Sequence, residues 1–280
     1  MNLQGAVVLI TGASSGIGQG AALAFDRAGA RVAIAARRKE RLEANAARMK
    51  DVLILPTDVT DESQVNAMID RTVEHFGRLD ILINNAGEVH LGRSDILDPT
   101  LVRHMLDVNF IGPMVAANRA VKTMRKQGGG IIINVTTPGA VMGVPYLASY
   151  CATKAAMRTW SRCVQAEWAD SNITVCEYLP GIVQTELGSK IEAEMGFSHS
   201  FFQKEGQGLL GRILLRKMVS TEKVGEHLVA CARNPSLASY SNPEIGVMMA
   251  IGHFSKSRYL ITRKWARVFR THLGLGMVGD

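Results

Sequence analysis

Short apolar runs alternate with amphipathic stretches along most of the chain. Six runs are almost continuously apolar, rich in Val and Ile, and bounded by Gly, Asp, Asn or Pro: Ala6–Ile10, Arg31–Ala35, Val52–Leu55, Ile81–Ile83, Ile131–Val135 and Ile173–Leu179. Such runs are typical of strands that are buried on both faces of a parallel sheet. A seventh apolar run, predicted as a further strand, lies at Ile245–Ile251.

The stretches between these runs have helical periodicity. The predicted helices are Gly16–Ala28, Lys39–Met49, Ser63–Phe76, Thr100–Lys126, Ser149–Ala169 and Thr221–Arg233. Repeated strand–helix units predict an α/β fold with a doubly wound parallel sheet of the Rossmann type.

No interdomain linker interrupts this pattern, so residues 1–254 are predicted to form a single domain. A Gly- and Phe-containing insertion at about residues 186–217 is predicted to be a lid on that domain. Residues 255–280 form a separate, basic tail.

Composition narrows the class of protein. The 280 residues are 47% hydrophobic and 20% charged, as in a globular protein rather than a disordered one. The four cysteines have neither Cys-x-x-Cys spacing nor zinc-like clustering with His, so we predict reduced thiols, no metal site and a cytoplasmic protein. We also predict neither a signal peptide nor a membrane-spanning segment, since no apolar run approaches the required ~20 residues.

The net charge of +7 is concentrated in the tail. This distribution argues against a general nucleic-acid footprint. Within the tail, one helical face carries Ile261, Trp265, Val268, Phe269 and His272, and the remainder carries Arg263, Lys264, Arg267 and Arg270. Such a helix can lie peripherally on an anionic membrane surface, or it can pack on its own subunit or a partner subunit.

A glycine-rich loop joins the first predicted strand to the first predicted helix. Its sequence from Thr11 to Gly18 is Thr-Gly-Ala-Ser-Ser-Gly-Ile-Gly. Glycine permits a tight turn and close approach to a pyrophosphate, and the helix start offers free N–H groups and the positive end of its dipole. We predict a nucleotide site that includes Gly12, Ser14, Ser15, Gly16, Ile17 and Gly18.

Tyr150 and Lys154 are four residues apart in a predicted helix and therefore share one face of it. A free tyrosine has a pKa of about 10 and is a poor proton shuttle at neutral pH. A neighbouring cation lowers that pKa toward the working range. The pair is weak evidence by itself, because this spacing occurs by chance in many helices.

Five motifs, in this order, make the segment from about Leu3 to Thr185 resemble the short-chain dehydrogenase/reductase family. They are the glycine loop, Asn84-Asn85-Ala86-Gly87 after the fourth strand, Asn109 in Asp-Val-Asn, the pair Tyr150 and Lys154, and Pro180-Gly181 with Thr185. The resemblance implies hydride transfer between a nicotinamide and a carbonyl or secondary alcohol.

The same resemblance assigns roles to individual residues. Tyr150 would exchange a proton with the substrate oxygen, Lys154 would lower the pKa of Tyr150 and bind the nicotinamide ribose, and Asn109 would support a water relay. The family usually has Ser thirteen residues before the Tyr, where this chain has Thr137. Thr keeps the hydroxyl but adds a methyl group that crowds the site. The neighbouring Thr136 is expected to point the other way.

Cofactor contacts follow partly from the resemblance and partly from charge. The resemblance implies contacts from Asp58, Val59, Asn85, Ala86, Gly87, Tyr150, Lys154, Pro180, Gly181, Ile182 and Thr185. The second strand ends without the acid that accepts from a ribose 2′-OH, and Arg37 and Arg38 follow at once. A guanidinium can hold a phosphate through two hydrogen bonds, so we predict NADP(H) over NAD(H).

The apolar side chains of the lid suggest a lipophilic substrate, such as a steroid, long-chain or aromatic carbonyl compound or alcohol, although they can also simply pack the lid on the body. The family commonly forms homodimers or homotetramers through the helix that carries Tyr150 and Lys154. Small residues there would allow close helix approach: Ala152, Ala155, Ala156 and Ala166. The alternative function is a catalytically idle nucleotide-binding protein that works through its tail as a membrane-associated or scaffold protein.

Overall fold

The computed structural model describes residues 1–181, 183–186, 219–236 and 238–241. Within the predicted lid it describes only Glu186. The rest of that segment, the predicted strand Ile245–Ile251, the whole tail and Ile182 lie outside the described residues.

Among the described residues, seven parallel strands form one sheet in the order β3-β2-β1-β4-β5-β6-β7. The strands are β1 (Val7–Thr11), β2 (Arg31–Ala36), β3 (Val52–Pro56), β4 (Ile81–Asn84), β5 (Gly130–Val135), β6 (Ile173–Leu179) and β7 (Ala238–Tyr240). The connection after β3 crosses over the sheet, so that β4 pairs with the side of β1 that faces away from β2. This arrangement confirms the predicted doubly wound parallel sheet.

Helices connect the strands and cover both faces of the sheet. In the described part of the chain they are α1 (Gly16–Arg27), α2 (Lys39–Ala46), α3 (Glu62–Phe76), α4 (Pro99–Leu106), α5 (Gly112–Lys126), α6 (Gly139–Met142), α7 (Ala148–Glu167) and α8 (Thr221–Arg233). Among the residues described, no helix is both long and apolar enough to cross a lipid bilayer.

The core is divided between the two faces of the sheet. Along β1, Val8 and Ile10 belong to the apolar cluster that α1 and α8 cover, whereas Val7 and Leu9 belong to the cluster that α3, α5 and α7 cover. Both sets are fully buried, which explains why the strand sequences are continuously apolar rather than alternating.

Helices α1 and α8 approach each other closely through glycine. A Cβ atom on Gly20 would lie 2.2 Å from the carbonyl oxygen of Thr221, and one on Gly225 would lie 2.3 Å from that of Gly20. This contact holds α8 against the helix that begins at the glycine-rich loop.

Several elements of the described structure differ from the sequence prediction, among them the short helix α6, which was not predicted. The single helix predicted at Thr100–Lys126 is interrupted by a π-helical turn at Asp107–Ile111, between α4 and α5. The short strand β7, the last in the described sheet, forms at Ala238–Tyr240, which lacks the long apolar run used to predict strands. β7 pairs with β6 over three residues, so it needs little hydrophobic signal.

Candidate active site

A cavity of about 390 Å³ lies at the carboxyl ends of the strands, beside the point where β1 separates β2 from β4. Open α/β sheets bind their ligands at this kind of position. The lining includes most of the predicted site residues: Gly12, Ser14, Ser15, Gly16, Ile17, Arg37, Arg38, Asp58, Val59, Asn85, Ala86, Gly87, Tyr150, Lys154, Pro180 and Thr185. Segments far apart in sequence therefore meet around one cavity.

The glycine-rich loop is packed directly against the segment that follows β4. Gly12 has φ +68°, and a Cβ atom there would lie 2.8 Å from the Cα of Ala86. Thr11 ties the two segments together, because its Oγ1 accepts hydrogen bonds from the backbone N–H groups of Asn85 (3.0 Å) and Ala86 (3.1 Å). Sequence reasoning assigned no role to Thr11, although it opens the motif.

The start of α1 has the features of a phosphate site. Ser15 is the N-cap residue, with extended backbone, and within the described structure its side chain makes no capping hydrogen bond. The first N–H groups of a helix lack partners within the helix, and the dipole is positive at this end. The residues present therefore fit the pyrophosphate of a dinucleotide.

Arg38 turns back from the end of β2 onto this loop. Its Nη2 donates to the hydroxyl oxygens of Ser14 (2.9 Å) and Ser15 (2.8 Å), and its Nε donates to Ser14 (3.2 Å). Arg37 also lines the cavity and lies near Asp58. Partial burial raises the pKa of Asp58, but hydrogen bonds from Thr60 and the charge of Arg37 outweigh it and hold the pKa below its usual value.

Tyr150 and Lys154 project from α7 into the same cavity. Lys154 is 5% exposed, and its Nζ donates to the carbonyl oxygen of Val135, the last residue of β5, at 3.1 Å. Tyr150 packs beside a small apolar cluster of Val89, Leu147 and Cys151. Phenol and ammonium therefore lie on one face of α7, as the spacing predicts.

The electrostatics of the pair differ from the sequence expectation that Lys154 lowers the pKa of Tyr150. Burial instead raises the pKa of the phenol, and the neighbouring Cys151 adds to the effect. Burial also lowers the pKa of Lys154 to about 8. The reason is common to both groups, since a low-dielectric environment disfavours every charged form. In the described structure, burial therefore shifts the pKa of Tyr150 opposite to the expected direction.

Asn109 lies in the π-helical turn and is 1% exposed. Its side chain forms two hydrogen bonds with the backbone of Glu88: Oδ1 accepts from the N–H at 2.9 Å and Nδ2 donates to the carbonyl at 2.8 Å. Nδ2 also donates to Oγ1 of Thr153 (3.1 Å), which in turn donates to the Tyr150 carbonyl (2.8 Å). Asn109 thus fastens the segment after β4 to the turn of α7 between Tyr150 and Lys154. π-Helical turns are frequent at functional sites.

Glu88 is a lining residue that sequence reasoning missed. Its carboxylate lies 3.0 Å from Nε2 of His90 and 3.0 Å from Nε2 of His104. The only sequence signal was its position directly after Asn-Asn-Ala-Gly.

The two threonines after β5 are placed differently from expectation. Thr136 lines the cavity, and its buried Oγ1 has no hydrogen-bond partner among the described residues. Thr137 is absent from the described lining, and its Oγ1 accepts from the N–H of Gly139 at 3.3 Å. β5 ends at Val135, so strand alternation does not extend to these residues.

The Pro-Gly segment closes one side of the cavity. Pro180 and Thr185 line it, and the N–H of Gly181 donates to Oγ of Ser241 at 2.8 Å. Gly18 and Asn109 do not line the cavity in the described structure, but they contact the lining residues Gly12 and Glu88. A Cβ atom on Gly18 would lie 2.4 Å from the Gly12 carbonyl oxygen.

Comparison with known proteins agrees with this geometry. The short chain dehydrogenase family matches residues 6–196. An uncharacterized oxidoreductase from Thermotoga maritima is 38% identical over 198 residues, covering 69% of this chain and 78% of its own. The 11-beta-hydroxysteroid dehydrogenase-like 2 protein of Arabidopsis thaliana is 34% identical over 222 residues, covering 77% and 71%.

Two solved structures are similar over nearly their whole length. The 3-ketoacyl-(acyl-carrier-protein) reductase from Brucella melitensis, complexed with NADH, has a TM-score of 0.75 at 27% identity and covers 85% of this chain and 97% of its own. A single-substitution variant of actinorhodin polyketide ketoreductase, with NADPH, has a TM-score of 0.77 at 26% identity and covers 86% and 97%.

The fold and the cavity define a nucleotide-binding oxidoreductase of the Rossmann type. The chain belongs to the short-chain dehydrogenase/reductase family.

Proposed function

We propose that the protein is an NADP(H)-dependent oxidoreductase that transfers hydride between the nicotinamide and a lipophilic carbonyl compound or secondary alcohol. One observation carries the proposal. Tyr150 and Lys154 line the same cavity as the glycine-rich loop and the arginines that follow β2. A proton-transfer pair and a nucleotide-phosphate site therefore lie within reach of one extended ligand.

The cofactor, when bound, supplies or accepts the hydride. The backbone from Gly12 to Ile17 and the start of α1 would hold its pyrophosphate. Asp58 and Val59 would flank its adenine, and Asn85 to Gly87 would support the sugar between the two ends. Pro180, Gly181, Ile182 and Thr185 would hold the nicotinamide end, opposite Tyr150.

Tyr150 is the proposed proton donor for carbonyl reduction. The phenol keeps its proton at neutral pH, as a proton donor must, and burial raises its pKa and makes it a weaker acid than a free tyrosine. Lys154, whose pKa is about 8, is the proposed partner that replaces the proton and contacts the nicotinamide ribose. Asn109 would hold Tyr150 and Lys154 in a fixed position relative to the segment that follows β4.

A hydroxyl is proposed to orient the substrate oxygen. Thr137 holds the position expected from the family, and Thr136 is a second candidate because its unpartnered Oγ1 is buried at the cavity wall. Single substitutions to Val at each position, which keep the shape and remove the hydroxyl, would separate the two.

The preference for NADP(H) rests on charge. No acid ends β2, whereas Arg37 and Arg38 both line the cavity beside the glycine loop. An arginine at this place can accommodate a 2′-phosphate, and planar guanidinium groups bind it through two hydrogen bonds. NADH lacks this phosphate and would gain less from these charges than NADPH.

A lipophilic substrate is supported by the apolar residues of the predicted lid. Two similar proteins carry names that refer to a hydroxysteroid and a polyketide.

Assembly and the role of the tail complete the proposal. Ala152, Ala155, Ala156 and Ala166 of α7 are not buried in the single chain, so they are accessible for a homodimer or homotetramer contact. The basic tail, residues 255–280, is proposed to pack on a subunit or to lie on a membrane surface. Liposome flotation with and without the tail would decide between these two roles.

Turnover with a panel of carbonyl compounds tests the function. The protein should oxidise NADPH in the presence of hydrophobic ketones, with loss of nicotinamide absorbance, and should do so faster than with NADH. Arg37→Ala combined with Arg38→Ala should weaken NADPH binding much more than NADH binding. NADPH binding without turnover of any carbonyl compound would instead favour the idle, scaffold-type protein.

A further inference from the structure

Glu186 lies directly after Thr185, lines the cavity and forms ion pairs with two arginines. One carboxylate oxygen accepts from Nη1 of Arg38 at 3.0 Å, and the other accepts from Nη1 of Arg41 on α2. All three side chains are about half exposed. The hydrogen bonds from Arg38 and then Arg41 hold the pKa of Glu186 below its usual value, so the group is ionised at neutral pH.

Arg38 is shared between this carboxylate and the glycine loop. While Nη1 binds Glu186, Nε and Nη2 bind the hydroxyls of Ser14 and Ser15. An anion held by Arg38 and Arg41 beside these serines would occupy the place that the Glu186 carboxylate holds. The carboxylate therefore both marks an anion site and fills it.

We infer that Glu186 is an internal competitor of the cofactor 2′-phosphate: its carboxylate closes the site between Arg38 and Arg41 and must leave when the phosphate binds there. The inference deepens the proposed function and rests on the proposed preference for NADP(H). It adds Arg41 to the phosphate site. It also links phosphate binding to the segment that carries Thr185, since the chain must shift or rotate Glu186 to release the arginines.

The size of the effect follows from the exposure of the ion pairs. Exposed salt bridges contribute little, so removing the competitor should improve phosphate binding by about 2- to 10-fold. The gain should shrink as salt is added, because exposed charges are screened within about 10 Å at 0.1 M ionic strength. NADH should gain less than NADPH.

The test compares Glu186→Gln with Glu43→Gln. Glu43 is an exposed residue of α2 whose nearest described cation is Lys39, at 3.6 Å, so the control removes the same charge without touching Arg38. Dissociation constants for NADPH, NADH and 2′,5′-ADP would be measured by calorimetry at low and high salt. Glu186→Gln should tighten NADPH and 2′,5′-ADP by about 2- to 10-fold and change NADH by less than about 2-fold, whereas Glu43→Gln should change none of them. In the Glu186→Gln background, Arg41→Ala should remove the gain.

The outcomes separate this inference from the function on which it rests. If Arg37→Ala combined with Arg38→Ala leaves the ratio of NADPH to NADH affinity unchanged, the proposed cofactor preference fails, and this inference fails with it. If Arg38→Ala abolishes the preference but Glu186→Gln does not tighten NADPH, only the competition by Glu186 is refuted. If Glu186→Gln weakens NADH, the carboxylate serves as an acceptor for the ribose 2′-OH, which also overturns the inference.

Discussion

Replacing Lys154 with Met should make the protein more stable at neutral pH while removing its activity. Burial lowers the pKa of Lys154 from 10.5 to about 8, a penalty on the charged form on the order of 3 kcal/mol. Met has similar volume and carries no charge. The substitution also removes the hydrogen bond from Nζ to the Val135 carbonyl, which is worth about 1 kcal/mol. The net expectation is a gain of about 2 kcal/mol in the free energy of unfolding at pH 7.

The stability difference between Lys154→Met and the wild type should depend on pH. Below about pH 8, Lys154 is protonated in both the folded and the unfolded chain, so the wild type carries the full penalty. Between about pH 8 and 10.5, the unfolded chain binds a proton that the folded chain does not, and wild-type stability rises with pH. The advantage of Lys154→Met should therefore shrink through this range and be lost above it.

Urea unfolding followed by circular dichroism, from pH 7 to pH 10.5, would measure the difference. Lys122→Met is the matched control, because Lys122 is exposed on α5 and its replacement should change the free energy of unfolding by less than about 0.5 kcal/mol. A Lys154→Met variant that is less stable than the wild type at pH 7, or a difference that does not change with pH, would refute the reasoning.

Three further substitutions test how the site is held together. Gly12→Ala should sharply reduce NADPH binding, because the positive φ and the 2.8 Å approach of its Cβ to Ala86 force the loop to move; calorimetry showing wild-type affinity would contradict this. Ser161→Ala should cost about 1–3 kcal/mol in urea unfolding, since it leaves the buried amide of Asn134 without its acceptor at 2.8 Å; an unchanged midpoint would count against it. Asn109→Ala should lower kcat more than it raises KM for NADPH, because three hydrogen bonds around the pair are lost; steady-state kinetics with unchanged kcat would remove its positioning role.

The central strands could be predicted from the sequence because both of their faces are buried and their residues are therefore continuously apolar. The predicted runs Ala6–Ile10 and Ile81–Ile83 match β1 and β4 to within one residue at each end. β7 was not predicted because its three residues are only partly buried and form no continuous apolar run. The π-helical turn was not predicted because the hydrophobic periodicity continues on either side of Asn109.

The site was predictable where backbone geometry demands a residue type. Gly12 is such a position, and the spacing of Tyr150 and Lys154 placed both side chains on one wall of the cavity. The directions of the pKa shifts of Tyr150 and Lys154 could not be predicted, because sequence spacing shows that two side chains are close but not how deeply they are buried. The contacts of Glu88 with His104 and of Glu186 with two arginines could not be predicted either, since they join separate segments through single acidic residues.

Turnover by Tyr150→Phe tests the central claim most directly. NADPH oxidation with a ketone that the wild type reduces would be measured beside the dissociation constant for NADPH. General acid–base catalysis contributes about 10²- to 10⁴-fold, so kcat should fall by at least about 100-fold while NADPH binds within about 2-fold of the wild type. A Tyr150→Phe variant with wild-type turnover would show that the phenol is not the proton donor.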